Sequence, residues 1–190
     1  MKYFKISAVL ASIALVCSII LAAMNLMTSP IISKNKEQTE LQTIQKIFSE
    51  YNQEKSSVVE SDNEAIIKKI LAADKDGNAL GYIYNVSGKN AYGTISLMVA
   101  IKDGSLYQVE FVTNEQSFAS TVESHLHSSY PASDKKSIEL GFSSNASSDK
   151  VGSLTEEEVD DVDVKCGATY GAKLIKELIK IAFDDYNKTN

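Results

Sequence analysis

No pair of cysteines in this chain can staple its soluble part. Cys17 lies in an apolar run and Cys166 far beyond it, and no Cys/His spacing of a zinc site occurs. The two histidines, His125 and His127, stand two apart, which on a helix turns them to different faces. No block of basic residues is present, and the formal net charge is −6. An acidic chain without a basic run is a poor nucleic-acid binder, so nucleic acid is excluded as a partner. No repeat of solenoid period occurs, and neither a Ser/His/Asp set, an acid–base pair nor a nicotinamide fingerprint can be found. No catalytic residue is therefore assigned. The three Asn-x-Ser/Thr sequons, at Asn85, Asn145 and Asn187, carry no argument of their own.

What is present begins with one long uncharged run. Ile6 to Met27 holds no charged residue. At about 1.5 Å per residue it reaches across a bilayer core of about 30 Å. The apolar region of a cleaved signal peptide is shorter, and Leu21-Ala22-Ala23 is a weak cleavage match, so an uncleaved anchor is expected. Lys2 and Lys5 flank one end and Lys34 and Lys36 the other, so charge alone leaves the orientation open. The short leading tail favours an N-terminus inside and a domain outside.

The remaining 163 or so residues are enough for one domain. Past Pro30 a juxtamembrane helix is expected, with Leu41, Ile44, Phe48 and Tyr51 on one face, and residues 52–64 read as loop. Ile66 to Ala73 and Leu80 to Val86 read as strands about the Asp76-Gly77 turn. Ile95, Leu97, Val99 and Ile101 alternate with Thr94, Ser96, Met98 and Ala100, the cleanest strand in the chain. Asp103-Gly104 turns it back into Leu106 to Val112. A helix is expected over 117–127, with Phe118, Val122 and Leu126 at successive turns. Residues 128–153 are serine-rich, and the acidic run from Glu156 to Asp163 lacks the spacing of a calcium loop and reads as a solvated rim. No metal site is expected. These elements predict an α+β protein: an anchor over 1–29, a helix and linker over 30–65, and a domain over 66–190 with an antiparallel-rich sheet and flanking helices.

The most informative stretch lies at the last helix. Leu174, Ile175, Leu178, Ile179, Ala182 and Phe183 recur at helical spacing, with Lys173, Lys176 and Lys180 opposite. Gly167 and Gly171 precede or open it, with Ala168 and Thr169 between them. Small residues let a backbone turn tightly and another group come close. Thr169 thus sits at or beside a helix N-terminus, where unpaired N–H groups favour a phosphate. On spacing alone the same threonine reads first as an ordinary N-cap.

Asp163-x-x-Cys166-Gly167-Ala168-Thr169 resembles the attachment signature of the covalent-FMN-binding domain family, an Asp followed by Ser/Thr-Gly-Ala-Thr/Ser. That domain occurs in the G subunit of the Rnf electron-transport complex and the C subunit of the sodium-translocating NADH:quinone oxidoreductase. Cys166 stands where the family has a hydroxyl residue. A second block is similar in kind: Gly93, Ile95, Asp103, Gly104, Val109 and Glu115 match, while Gln116-Ser117-Phe118 replaces the family's Thr-Pro-Gly. The segment from Asn25 to Pro30 also resembles the anchor exit of these subunits. The resemblance covers that exit and most of the chain from Tyr82 to Phe183.

The resemblance implies FMN joined through its phosphate to Thr169, with Cys166, Gly167, Ala168, Tyr170 and Glu115 around it. It implies that Asp163, Gly167, Ala168 and Thr169 are recognised by a flavin transferase during maturation. Tyr92, Phe118, Tyr170 and Leu174 are candidates for an apolar wall beside the ring, each also readable as core. The expected role is an electron-carrier subunit of a membrane redox complex, single-pass, with its domain outside the cytoplasm and other subunits as partners. Alternatives are a free-standing flavinylated surface carrier and an anchored interaction module that never receives flavin.

Overall fold

The computed structural model describes residues 2–132 and 152–189. The chain separates into two units, Met1–Leu41 and Gln42–Asn190. The first is the body of helix α1 (Lys2–Ile47). Its apolar side chains from Val9 to Ile32 are 50% exposed or more, as no core covers them. By length and composition this helix can cross a membrane, consistent with an anchor or a signal sequence. The sequence reading ends the anchor at residue 29 and starts a new helix beyond it. The structure instead carries α1 through Pro30 without a break. Proline removes one helical hydrogen bond and crowds the preceding turn, which weakens a helix without forbidding it.

The second unit is α+β. Five strands follow: β1 (Ser57–Val59), β2 (Ile66–Ala73), β3 (Ala79–Asn90), β4 (Gly93–Lys102) and β5 (Ser105–Asn114). They form one antiparallel sheet in the order of the chain. The expected antiparallel sheet and flanking helices are present. Residues 52–64, read as loop, contain the edge strand β1, which is held by pairing Ser57 with Leu71 and Val59 with Lys69. Strand β3 runs four residues past its expected end, because Ser87 to Asn90 pair with Ser96 to Gly93.

Alternation in β4 sorts the two faces. Ile95, Leu97, Val99 and Ile101 are buried in a cluster with Tyr84, Val86, Val122, Leu126 and the apolar stripe of α4 (Thr169–Thr189). Met98 and Ala100 point the other way, into a cluster with Ile70, Ala72, Ile83, Ile44, Ile47 and Phe48. The last turn of α1 therefore covers one face and α4 the other, leaving β4 buried on both. Asp103 (φ 52°) and Gly104 (φ 75°) both take the left-handed conformation that a tight two-residue hairpin requires.

Helix α2 (Ala119–Ser129) starts two residues later than expected. The acidic run is in part a helix, α3 (Glu156–Asp161), opened by a reciprocal cap between Thr155 and Glu158. Asp160 of α3 receives Lys176 Nζ on its carbonyl at 2.6 Å and pairs with Lys180 at 2.8 Å, so the cationic face of α4 clamps α3. Most of the serine-rich stretch, residues 133–151 with Asn145, lies outside the described residues.

Candidate functional site

The turn between β3 and β4, the loop from β5 to α2, and the first turn of α4 meet at one end of the sheet. They are tied by main-chain and amide hydrogen bonds. Asn90 Nδ2 donates to Tyr170 O at 3.2 Å, and Asn90 Oδ1 accepts from Tyr92 N at 2.8 Å. Ser117 N donates to Tyr92 O at 3.1 Å and Glu115 N to Thr94 O at 2.9 Å. Gln116 Nε2 donates to Gly93 O at 2.7 Å. Gly93, at φ 139°, has no room for a side chain: a Cβ there would stand 2.1 Å from Glu115 O. This glycine is what lets the two loops close on each other.

Between these loops lies a cleft of about 260 Å³, lined by Tyr92, Gln116, Phe118 and Val122 on one side and residues 167–171 on the other. Small-molecule sites run from roughly 300 Å³ upward, so this one suits a partly exposed occupant. Its mouth carries three rings that the core does not claim: Tyr92, Phe118 and Tyr170 are 44%, 60% and 62% exposed. Tyr92 and Tyr170 stand 5.3 Å apart between centroids, inclined by 33°. Exposed aromatic rings at a cleft give a flat ring apolar faces to lie against.

The opposite wall is the start of α4. Gly171 N and Ala172 N donate to Ala168 O, closing the first turn. The amides of Thr169 and Tyr170 have no partner among the described residues, as expected of the first residues of a helix. They add the positive end of α4 to the rim of the cleft. Gly171 packs against α2 so closely that a Cβ would come within 2.5 Å of Val122 Cγ2. Thr169 is half-buried, and its Oγ1 donates to Cys166 O at 2.9 Å. That bond belongs to the turn before the helix; it does not cap an amide of α4.

The sequence-derived candidates divide in the folded chain. Gly167, Ala168, Thr169, Tyr170, Tyr92 and Phe118 line the cleft together. Cys166 and Glu115 do not line it. Cys166 offers its carbonyl to Thr169, and Glu115 shapes the wall through its main chain while its side chain is exposed. Asp163 is exposed, and its Oδ1 accepts from Lys165 N at 2.9 Å, forming a small turn ahead of the motif. Leu174 is buried core against the sheet. Phe118, expected on the buried face of α2 with Val122 and Leu126, sits just before the helix and faces out.

Sequence reasoning missed Gln116. It is 6% exposed and lines the cleft, and only its place beside the matched Glu115 could have pointed to it. The two histidines part as their spacing implies. His125 is buried edge-on to Tyr130 at 6.0 Å; burial holds its pKa below the ordinary value, opposed by Asp163 and helped by Lys176. His127 approaches Glu123 at 3.9 Å. Among the described residues no three His, Cys, Asp or Glu side chains gather as a metal site.

No protein-family model matches this chain, and no curated protein matches it.

Proposed function

We propose that this chain is an electron carrier held at a membrane by α1, with FMN joined through its phosphate to Thr169. The observation that carries the reading is the cleft itself. It brings the hydroxyl of Thr169, two partnerless amides of a helix N-terminus and three exposed aromatic rings to one place. The amides suit a phosphate beside Thr169. The rings suit a flat heterocycle, and Gly171, with no room for a Cβ against Val122, lets the start of α4 pack onto α2 where both line the cleft. The motif from Asp163 to Thr169 supplies the recognition sequence for a flavin transferase, and the exposure of Asp163 leaves it accessible to one. In the transfer the hydroxyl of Thr169 loses its proton to a base of the transferase, its oxygen bonds to the FMN phosphorus of a flavin dinucleotide, and the diphosphate P–O bond breaks to release the nucleoside monophosphate.

A shallow, open cleft explains why a covalent bond would be used. Holding a ligand at a dissociation constant of about 1 nM takes roughly 12 kcal/mol of contacts. A partly exposed site of this size is poorly placed to supply them, and an ester removes the equilibrium altogether. The chemistry then belongs to the flavin; the chain supplies attachment, orientation and surroundings. In this reading α1 is uncleaved, the domain lies outside the cytoplasm, and the partners are the other subunits of a redox complex of the Rnf type, or an external acceptor if the carrier stands alone.

One observation favours a reading without flavin. The Thr169 hydroxyl already has a partner in its own turn, as a purely structural threonine would. Ultraviolet-excited fluorescence of the denatured protein in a gel separates the two. Coexpressed with a flavin transferase, the wild type should give a fluorescent band and Thr169→Val none. A dark wild-type band beside an active transferase leaves the interaction module standing.

A further inference from the structure

Behind the turn that carries Thr169 lies a buried titratable side chain that the flavin reading does not use. Helix α2 lays Thr121 against that turn, its Cγ2 3.5 Å from where a Cβ on Gly167 would stand. His125 follows one helical turn later on the same face. It is 7% exposed, and its Nε2 is shut off from solvent with no hydrogen-bond partner among the described residues. Its Nδ1 lies 3.4 Å from Ser129 Oγ, and Tyr130 meets the ring edge-on, with a hydroxyl that is likewise buried and unpaired. A neutral imidazole can leave one nitrogen bare for the cost of a single unmade hydrogen bond. In an imidazolium both nitrogens carry protons, and a buried charge with an unmet donor costs far more.

We infer that His125 is a proton-operated latch on the turn over residues 163–168: while neutral it lets the turn close against α2, and when protonated it parts them. The charged groups around it do not relieve the proton. From the connection between α3 and α4, Asp163 favours the charge, but its carboxylate is exposed and already accepts from Lys165 N at 2.9 Å. From α4, Lys176 opposes it, with Nζ held 2.6 Å from Asp160 O. On α2 itself, His127 and Glu123 approach each other at 3.9 Å. Burial outweighs the rest and keeps His125 neutral below the pH at which a free histidine charges. Opening the turn hydrates the ring. The same turn gives the cleft Gly167 and Ala168 and leads into Thr169, so acid loosens one wall of the site. The inference stands with or without flavin on Thr169.

Amide hydrogen exchange of the full-length protein in detergent, divided by the intrinsic rate at each pH, tests this. Three amides report the turn: Cys166 N, bonded to Val164 O, and Gly171 N and Ala172 N, both bonded to Ala168 O. Their protection should lie roughly tenfold or more below that of β4, because the turn opens without the sheet. It should hold level down to about pH 6.5, then fall roughly tenfold per pH unit until His125 takes its proton in the closed state as well. The fall should be absent in His125→Phe, with His125→Gln in its place if that variant does not fold, and should remain in His127→Gln. Protection independent of pH overturns the latch, as does a fall that persists in the His125 variants or vanishes in His127→Gln. Protection equal to that of β4 at every pH also overturns it, since the turn would then open only when the whole domain unfolds.

Discussion

Replacing Asp185 by alanine should lower the melting temperature of the chain by about 6–12 °C, the equivalent of about 3 kcal/mol in a protein of this size. Lys69 on β2 is 1% exposed, and its Nζ is 2.6 Å from Asp185 Oδ2 on α4. Thr189 Oγ1 is 2.7 Å away, and the rings of Tyr82 and Tyr84 lie at 5.2 and 5.3 Å. Asp185 also accepts from Ser61 Oγ at 2.6 Å. Loss of the carboxylate strands an ammonium group in the interior, where removing one partner of a buried pair costs about 3–5 kcal/mol. The hydroxyl and the two rings remain, which places the expected cost at the lower end. The double replacement Lys69→Met with Asp185→Leu should recover most of the loss, because no charge is left to solvate. Thermal unfolding followed by circular dichroism of the full chain in detergent decides between the two outcomes.

The same pair sets part of the acid sensitivity. Burial alone would raise the pKa of Asp185, but the hydrogen bonds from Lys69 and Ser61 and the Lys69 charge outweigh it and hold the carboxyl below its usual range. A carboxylate with a depressed folded-state pKa stabilises above its unfolded value of about 3.9, and that contribution disappears as pH falls through the folded value. His125 acts earlier. Its folded pKa is lowered, so its penalty begins as pH drops below an unfolded value of about 6.5. Melting temperature should therefore fall in two stages on acidification, and Asp185→Ala should shrink the lower one, to which Asp74, also held below its usual range by hydrogen bonds from Asn78, still contributes.

Gly93→Ala is expected to be the most damaging glycine substitution at the cleft. The residue sits at φ 139°, and the added methyl would meet Glu115 O at 2.1 Å, Glu115 C at 2.7 Å and Gln116 Cα at 3.2 Å. These are backbone atoms and cannot swing aside. An L-residue in such a conformation costs on the order of 1–3 kcal/mol before any clash is counted. Relief requires the 115–118 loop to move, which breaks the bond from Gln116 Nε2 to Gly93 O and shifts Phe118 at the mouth of the cleft. Gly104→Ala is the matched control. At φ 75° with nothing within 4 Å, it carries only the left-handed penalty of about 1–2 kcal/mol. Equal losses of stability in the two variants would contradict the packing described for Gly93.

What could be read from the sequence and what could not divides by distance along the chain. Strand β4 was legible because its alternation is local, and the hairpin after it because Asp-Gly states the left-handed geometry of the turn in two adjacent residues. The stripe on α4 was legible for the same reason. Gly93 was not: its obstruction is the carbonyl of a residue 22 positions later, across a loop closure that no local pattern encodes. Lys69 within IIKKILAA reads as a solvent-facing residue, and the carboxylate that buries it lies 116 positions away. Strand β1 is three residues long and exists only because β2 offers an edge. The cap at Thr155 and Glu158 is written in the sequence as Thr-x-x-Glu, but the acidic run that begins at Glu156 masks it, because Glu158 reads as one more solvated charge. At the site, the motif pointed to residues 166–170, and the aromatic reading pointed to Tyr92 and Phe118. The inward turn of Gln116 was hidden because its partner, Gly93 O, is a main-chain atom.

The most direct test of the flavin on Thr169 is the mass of the tryptic peptide from Cys166 to Lys173, taken from protein made in its native host. The expected result is a peptide heavier than its sequence by one FMN less one water, with fragmentation placing the addition on Thr169. A peptide found uniformly at its unmodified mass would contradict it.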